Sequence, residues 1–223
     1  MSRSNPTLND MRFPSGDEDY PPGWATFNEN FNSHGAADFG FAGSKTDISR
    51  FAARYRAAHC YLKVEFKNFT LTQETAKGYS MLCRLLLTYS AFECLLRALK
   101  LRENQASAFL NAQEKATVLK KVRHLDSGDA LFSFMKPHLN KQHQEELKFY
   151  LSGKPCNPFF LTSGIRHLFV HGELTPNPKD VKNMAVRNVS AYLISVLVKV
   201  MDREFKKRID AFEIAHGNFK QGS

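Results

Sequence analysis

Residues 165–177 read IRHLFVHGELTPN. Arg166, His167 and His171 stand inside an apolar run that stops at Gly172 and then meets prolines. Histidine titrates near neutral pH and can take or give a proton. Arginine stays charged and matches a phosphate with two parallel hydrogen bonds. Together they meet the minimum for cleaving RNA without a metal. A base takes the proton of the ribose 2′-OH, and that oxygen attacks phosphorus in line. A cation steadies the phosphoryl oxygens, and an acid protonates the departing 5′-oxygen. DNA lacks the 2′-OH and should be spared.

Two other readings fit the same residues. In the first, Arg166 caps or pairs with a neighbour and both imidazoles are satisfied core or edge groups. In the second, His167 and His171, four apart and so on one helix face, hold a zinc ion. No glutamate stands where an HExxH motif needs it, and no third ligand is evident. His138 and His143 are candidates, but a spacing of five suits a helix poorly. Glu93 lies on the apolar line Leu82, Leu86, Tyr89, Glu93 and needs a partner if buried. That partner is Arg166, whose guanidinium it would orient, or Arg97 one turn on.

The elements around these residues are helical. Ile48, Phe51, Tyr55, Ala58, Leu62, Phe66 and Phe69 recur at steps of three and four, predicting a helix from about residue 46, with Thr46 or Asp47 at its start. A second helix is expected from Thr72 to Leu101, apolar nearly all round in its middle and so buried. Shorter patterns follow near 112–124, 127–137 and 140–151, with Ser127, Gly128 and Asp129 as a cap. GKPCNP at 153–158 is a turn. The segment carrying Arg166 reads as a helix from Pro158 to His171 with Gly172 ending it. Asn177-Pro178-Lys179-Asp180 predicts the start of a last helix running to Ala215, about 55 Å long, of the kind that often packs on a second subunit. Strand alternation and internal repeats are missing, so the expected fold is an all-α bundle.

Residues 1–43 have no lasting period and predict a flexible N-terminal arm, docked through Trp24, Phe27, Phe31, Phe39 and Phe41. The helical domain is expected over 44–216 and a disordered tail over 217–223. The chain has 223 residues and a formal net charge of +9, which favours anionic partners. Cys60, Cys83, Cys94 and Cys156 form no CxxC pair, which suggests a reducing compartment. The first 20 residues have no apolar core of a secretory signal, and charges interrupt both greasy stretches. A cytoplasmic protein with no membrane contact is expected. Two basic segments, Lys115 to His124 and Lys199 to Arg208, suit either an RNA backbone or a solvated helix face.

Arg166-His167-Leu168-Phe169-Val170-His171 resembles the signature of the HEPN superfamily: Arg, four to six residues, then His, with Asn, Asp or His after the Arg. These are all-α domains named for higher eukaryotes and prokaryotes nucleotide-binding. The likeness covers about 46–215, including YSAFECLL with Glu93 and the long last helix. It implies a metal-independent endoribonuclease, acting as a homodimer without a cofactor, with Arg166 and His171 of both copies lining one cleft. Arg166 would stabilise the phosphate, His171 would move the proton or position the 2′-OH, and His167 would shape the site. A toxin–antitoxin, stress or anti-phage setting follows, with RNA and an antitoxin or defence protein as partners. Glu173 stands where paired toxins often carry a Tyr, so control through that Tyr is not implied. A catalytically inactive HEPN-like module that binds RNA or protein through the same surface stays open beside the enzyme, as does a purely structural interaction protein.

Overall fold

In a computed structural model, which describes residues 19–67, 71–182 and 184–217, the chain is all-α, without strands among those residues. The helices are α1 (Trp24–Asp38), α2 (Lys45–His59), α3 (Gln73–Ala98), α4 (Glu103–Ala106), α5 (Ala112–Leu125), α6 (Ala130–Met135), α7 (Lys141–Leu151), α8 (Pro158–Val170) and α9 (Ala185–Ala215). Most starts follow local chemistry. Thr72 accepts from the Thr75 amide at 3.2 Å and caps α3. Ser44 and Asp47 close a capping box on α2, so the cap sits two residues before the expected Thr46. Between α5 and α6 the N-cap residue is Asp129, as the sequence suggests, but it makes no side-chain cap and the capping acceptor is Asp126. Its buried carboxylate accepts from the amides of Leu131 at 2.9 Å and Phe132 at 3.2 Å.

α3 and α9 form the spine. They run in the same direction, since Glu74 near the start of α3 pairs with Arg187 near the start of α9. Two cores share this spine. The first halves of α3 and α9 pack with α5 to α8 around mostly aliphatic residues such as Leu82, Leu119, Ile165 and Leu193. The second halves pack with α1 and α2 around Phe27, Phe39, Phe51, Phe92, Phe205 and Phe212.

Three expectations need correction. The helix predicted through Phe69 ends at His59. Leu62, the next member of its apolar stripe, is 89% exposed. Without burial of its face a helix has little to hold it, and here the Val64 amide donates to Ser80 Oγ on α3 instead. Phe69 lies outside the described residues. The last helix begins at Ala185 rather than Pro178, after Asp180 and Met184 take positive φ. Asn177 is not its cap. Its side chain donates to Thr75 Oγ1 on α3 at 3.1 Å. α9 is then about 46 Å long at 1.5 Å per residue. Finally, α9 does not project. Its Phe205, Ile209 and Phe212 are buried under α1, whose Phe27 lies 5.0 Å from Phe39 and 6.0 Å from Phe205, ring to ring. The second half of the predicted arm is thus helical and docked through its aromatic residues, with Phe27, Phe39 and Phe41 in the core. Residues 1–18 of that arm, and the tail from 218, lie outside the described residues.

No helix among the described residues is long and apolar enough to cross a membrane.

Candidate active site at the end of α8

α8 begins where Asn157 accepts from the Phe159 amide at 3.2 Å, with Pro158 in the first helical position, where its missing N–H costs nothing. It ends at Gly172, whose φ of 78° lies in the left-handed region that glycine enters freely. The Gly172 amide donates to Phe169 O at 3.1 Å and the Glu173 amide to Leu168 O at 2.9 Å. That paired reversal satisfies the last carbonyls and fixes the helix end. Leu161, Ile165 and Leu168 are buried in the aliphatic core. The other face carries Ser163, Arg166, His167 and Val170, the 3.6-residue spacing of one helix side, with His171 just beyond. Val170 is 53% exposed. The three motif side chains are therefore anchored by a packed helix and open on one side.

Arg166 reaches across to α3. Its Nη2 lies 3.7 Å from Glu93 Oε2, and its guanidinium sits 5.9 Å from the centre of the Tyr89 ring. Both partners of the ion pair are about one-third exposed, which keeps its worth at or below about 1 kcal/mol. The pair aims the guanidinium more than it stabilises the fold. Arg97, the other candidate partner of Glu93, instead contacts Cys94 Sγ at 3.8 Å.

The imidazoles form a row. The rings of His167 and His171 are 4.5 Å apart, and those of His143 and His167 are 6.0 Å apart and nearly parallel. His143 comes from the first turn of α7. Asn140 Oδ1 caps that helix by accepting from the His143 amide at 3.0 Å, and the same oxygen lies 2.9 Å from Nδ1. An oxygen that accepts both places the ring proton on Nδ1. Nε2 then accepts from the Ser163 hydroxyl at 3.0 Å. Burial, followed by the charge of His167, lowers the His143 pKa. Burial, then His171 and Arg166, lowers that of His167. Both rings therefore take up a proton less readily than a free imidazole.

A further carboxyl stands behind Arg166. Glu103 of α4 is raised above the usual carboxylate range by burial, with the Tyr89 hydroxyl opposing, the charge of Glu93 adding and that of Arg166 opposing. Its Oε1 is buried with no hydrogen-bond partner. Burial likewise pushes the Tyr89 phenol up.

Of the residues singled out from the sequence, Arg166 and Glu93 are joined, and His167 and His171 are joined. Among the described residues no hydrogen bond or ion pair links Arg166 to His171. Their separation on the helix, about 140°, points them apart. His138 lies outside the row and pairs with Glu173 at 3.4 Å. No third His, Cys, Asp or Glu among the described residues closes on the His167–His171 pair to complete a metal group. His143, which the sequence offered only as a candidate metal ligand beside His167 and His171, joins this cluster, whereas Ser163 and Glu103 were missed. Ser163 was findable at three residues before Arg166, but Glu103 left no signal.

The basic segments are partly spent inside the fold. Arg123 donates to Tyr150 O at 2.6 Å and lies over its ring, and Arg203 pairs with Glu114 at 2.5 Å. Lys206 pairs with Asp210 and Arg208 with Glu204. Lys120, Lys121, Lys199 and Lys207 remain exposed. A cleft of about 370 Å³ between α5 and α9, lined by Leu110, Thr117, Tyr192 and Lys199, shares no residue with the Arg166 cluster.

No family model, characterised protein or solved structure matches the chain.

Proposed function

We propose that the chain is a metal-independent endoribonuclease of HEPN type, with a composite site formed by two copies of the α8 end. The observation that carries this is the arrangement at the end of α8: a guanidinium aimed by Glu93 and, turned away from it on the helix, a row of imidazoles completed by His143 of α7, two of them with lowered pKa values. In this reading Arg166 holds the phosphoryl oxygens of the scissile phosphate. His171 takes the proton of the 2′-OH or positions it, and His167 shapes the site beside it. The O2′–P bond forms as the P–O5′ bond breaks, and the proton that His171 takes from the 2′-OH is passed on to O5′. The divergence of Arg166 and His171 within one chain favours sharing of the site across a two-fold axis. Exposed Val170 sits on the face that would meet the second copy. An RNA-targeting role in toxin–antitoxin, stress or anti-phage defence follows, with an antitoxin or defence protein as regulator.

The test is cleavage of mixed cellular RNA in EDTA by the wild type, Arg166→Ala and His171→Ala. Scission by the wild type alone, leaving 2′,3′-cyclic phosphate ends, is expected. No scission by a folded dimeric wild type across pH 6 to 8 overturns the reading. The missing direct link between Arg166 and His171 favours a second reading in that event: a catalytically silent HEPN-like module that binds RNA or protein through the same face.

A further inference from the structure

A second group of imidazoles lies where α1 meets the end of α9. His34 Nδ1 is 3.4 Å from Asp38 Oδ2, and the His34 and His216 rings are 4.5 Å apart. One ligand-type atom from each of His34, Asp38 and His216 lies within 4.8 Å of the others, and among the described residues no other three His, Cys, Asp or Glu side chains gather in this way. We propose that these three side chains bind a divalent transition metal of the zinc class and clamp the N-terminal helix to the C-terminal one. The proposal does not depend on the function proposed for Arg166.

The donor set fits the ion. Two imidazoles and one carboxylate suit zinc and its neighbours rather than magnesium or calcium, which prefer oxygen alone. His216 Nδ1 lies 3.0 Å from Phe212 O. A carbonyl only accepts, so Nδ1 carries the proton and Nε2 presents its lone pair. This is the outer hydrogen bond that orients metal-binding histidines. The His216 ring is also held flat on Phe212, at 4.3 Å and 28°, and Phe212 is stacked on Phe39 at 3.9 Å. The ligand therefore rests on a rigid aromatic base.

The backbone of α1 bends between its two ligands. Gly35 has φ 78° and ψ 174°, outside the helical region. A Cβ there would meet nothing within 4 Å, so the backbone conformation and not space calls for glycine. His34 is half-buried, while Asp38 and His216 are exposed, which leaves an approach for the ion and room for water to complete its coordination.

The experiment is zinc chloride titration of the tag-free full chain, read by calorimetry and by melting temperature, with His34→Ala, Asp38→Asn and His216→Ala alongside. Saturable uptake of one ion per chain is expected. The melting temperature should rise by about 5 °C or more at a hundredfold excess over Kd and fall back with EDTA. Each of the three variants should lose both responses while melting like the metal-free wild type. Asp38→Asn changes an exposed side chain and keeps the comparison if a histidine variant fails to fold. His167→Ala with His171→Ala should leave uptake intact. Absence of saturable uptake overturns the proposal. So does uptake that survives in His34→Ala and His216→Ala, or uptake lost with the α8 pair, since either result places the ion elsewhere.

Discussion

His167 and His171 stand next to an arginine, whereas His34 and His216 stand next to a carboxylate. Similar ring pairs, each about 4.5 Å apart, are thus placed in opposite electrostatic settings. At α8, burial first and then the charges of His171 and Arg166 disfavour His167 as a cation, beside a guanidinium that attracts anions. Beside Asp38, positive charge is what the geometry lacks, and a cation completes it. The support differs too. The α8 row hangs on the hydrogen bonds that His143 donates to Asn140 and accepts from Ser163, while the second pair is stacked on phenylalanines. A histidine pair has no meaning of its own here. Its neighbours decide whether it suits proton transfer or an ion.

This contrast can be broken most forcefully through its aromatic base. Phe27→Ala should cost about 3–5 kcal/mol, because a fully buried ring in the α1–α9 core is replaced by a cavity. For a chain of this size the melting temperature should fall by roughly 6–20 °C. A smaller loss would mean that α1 is only loosely docked. Next in size is chemistry. Arg166→Ala and His171→Ala should each reduce RNA scission by about 100-fold or more, the scale of losing a group that stabilises charge in the transition state. His34→Ala should leave scission within about twofold. Equal losses at both groups would show that the molecule does not separate the two roles.

The third test is pH. His143 and His167 have folded pKa values below the ordinary 6.5, so at these two sites the unfolded chain binds more protons than the folded one below that pH. Their contribution to stability should be complete above about pH 7 and decline as pH falls through 6.5 toward the lowered folded values. Thermal melts from pH 8 to 5 should show this slope, and His143→Gln should flatten it. Smallest is Glu93→Gln. As a positioning residue of an exposed ion pair it should weaken scission by no more than about fivefold, while barely moving the melting temperature. A loss as large as that of Arg166→Ala would mean that Glu93 itself meets the substrate.

The bundle was legible because periodicity carries it. The α3 stripe, the Thr72 cap and the Gly172 stop all stand where the residue pattern puts them. The failures share a cause, which is that tertiary contact outweighed a local signal. Asn177-Pro178 has the makings of a helix start, yet Asn177 is drawn to Thr75 and the chain turns through positive φ at Asp180 and Met184 before α9 begins. Leu62 keeps the helical period but has nothing to bury against. Around Arg166, the pairing with Glu93 and the neighbourhood of His167 and His171 were readable from spacing, since these residues lie on or next to α3 and α8. His143 was legible only as a candidate metal ligand, and Glu103 not at all. They arrive from α7 and α4, and no spacing along the chain reveals that two short helices will bring their first turns to α8.

The docking of α1 on α9 has a consequence during synthesis. Thr26 donates to Glu213 across a separation of 187 residues. At a translation rate of about 5–20 residues per second, roughly 10–40 s pass between the two reaching the ribosome exit. Throughout that interval Trp24, Phe27 and Phe31 have been made but the helix that covers them has not. The nascent chain carries this aromatic segment uncovered by α9 until the end of that helix has emerged, and over that interval a chaperone would matter most.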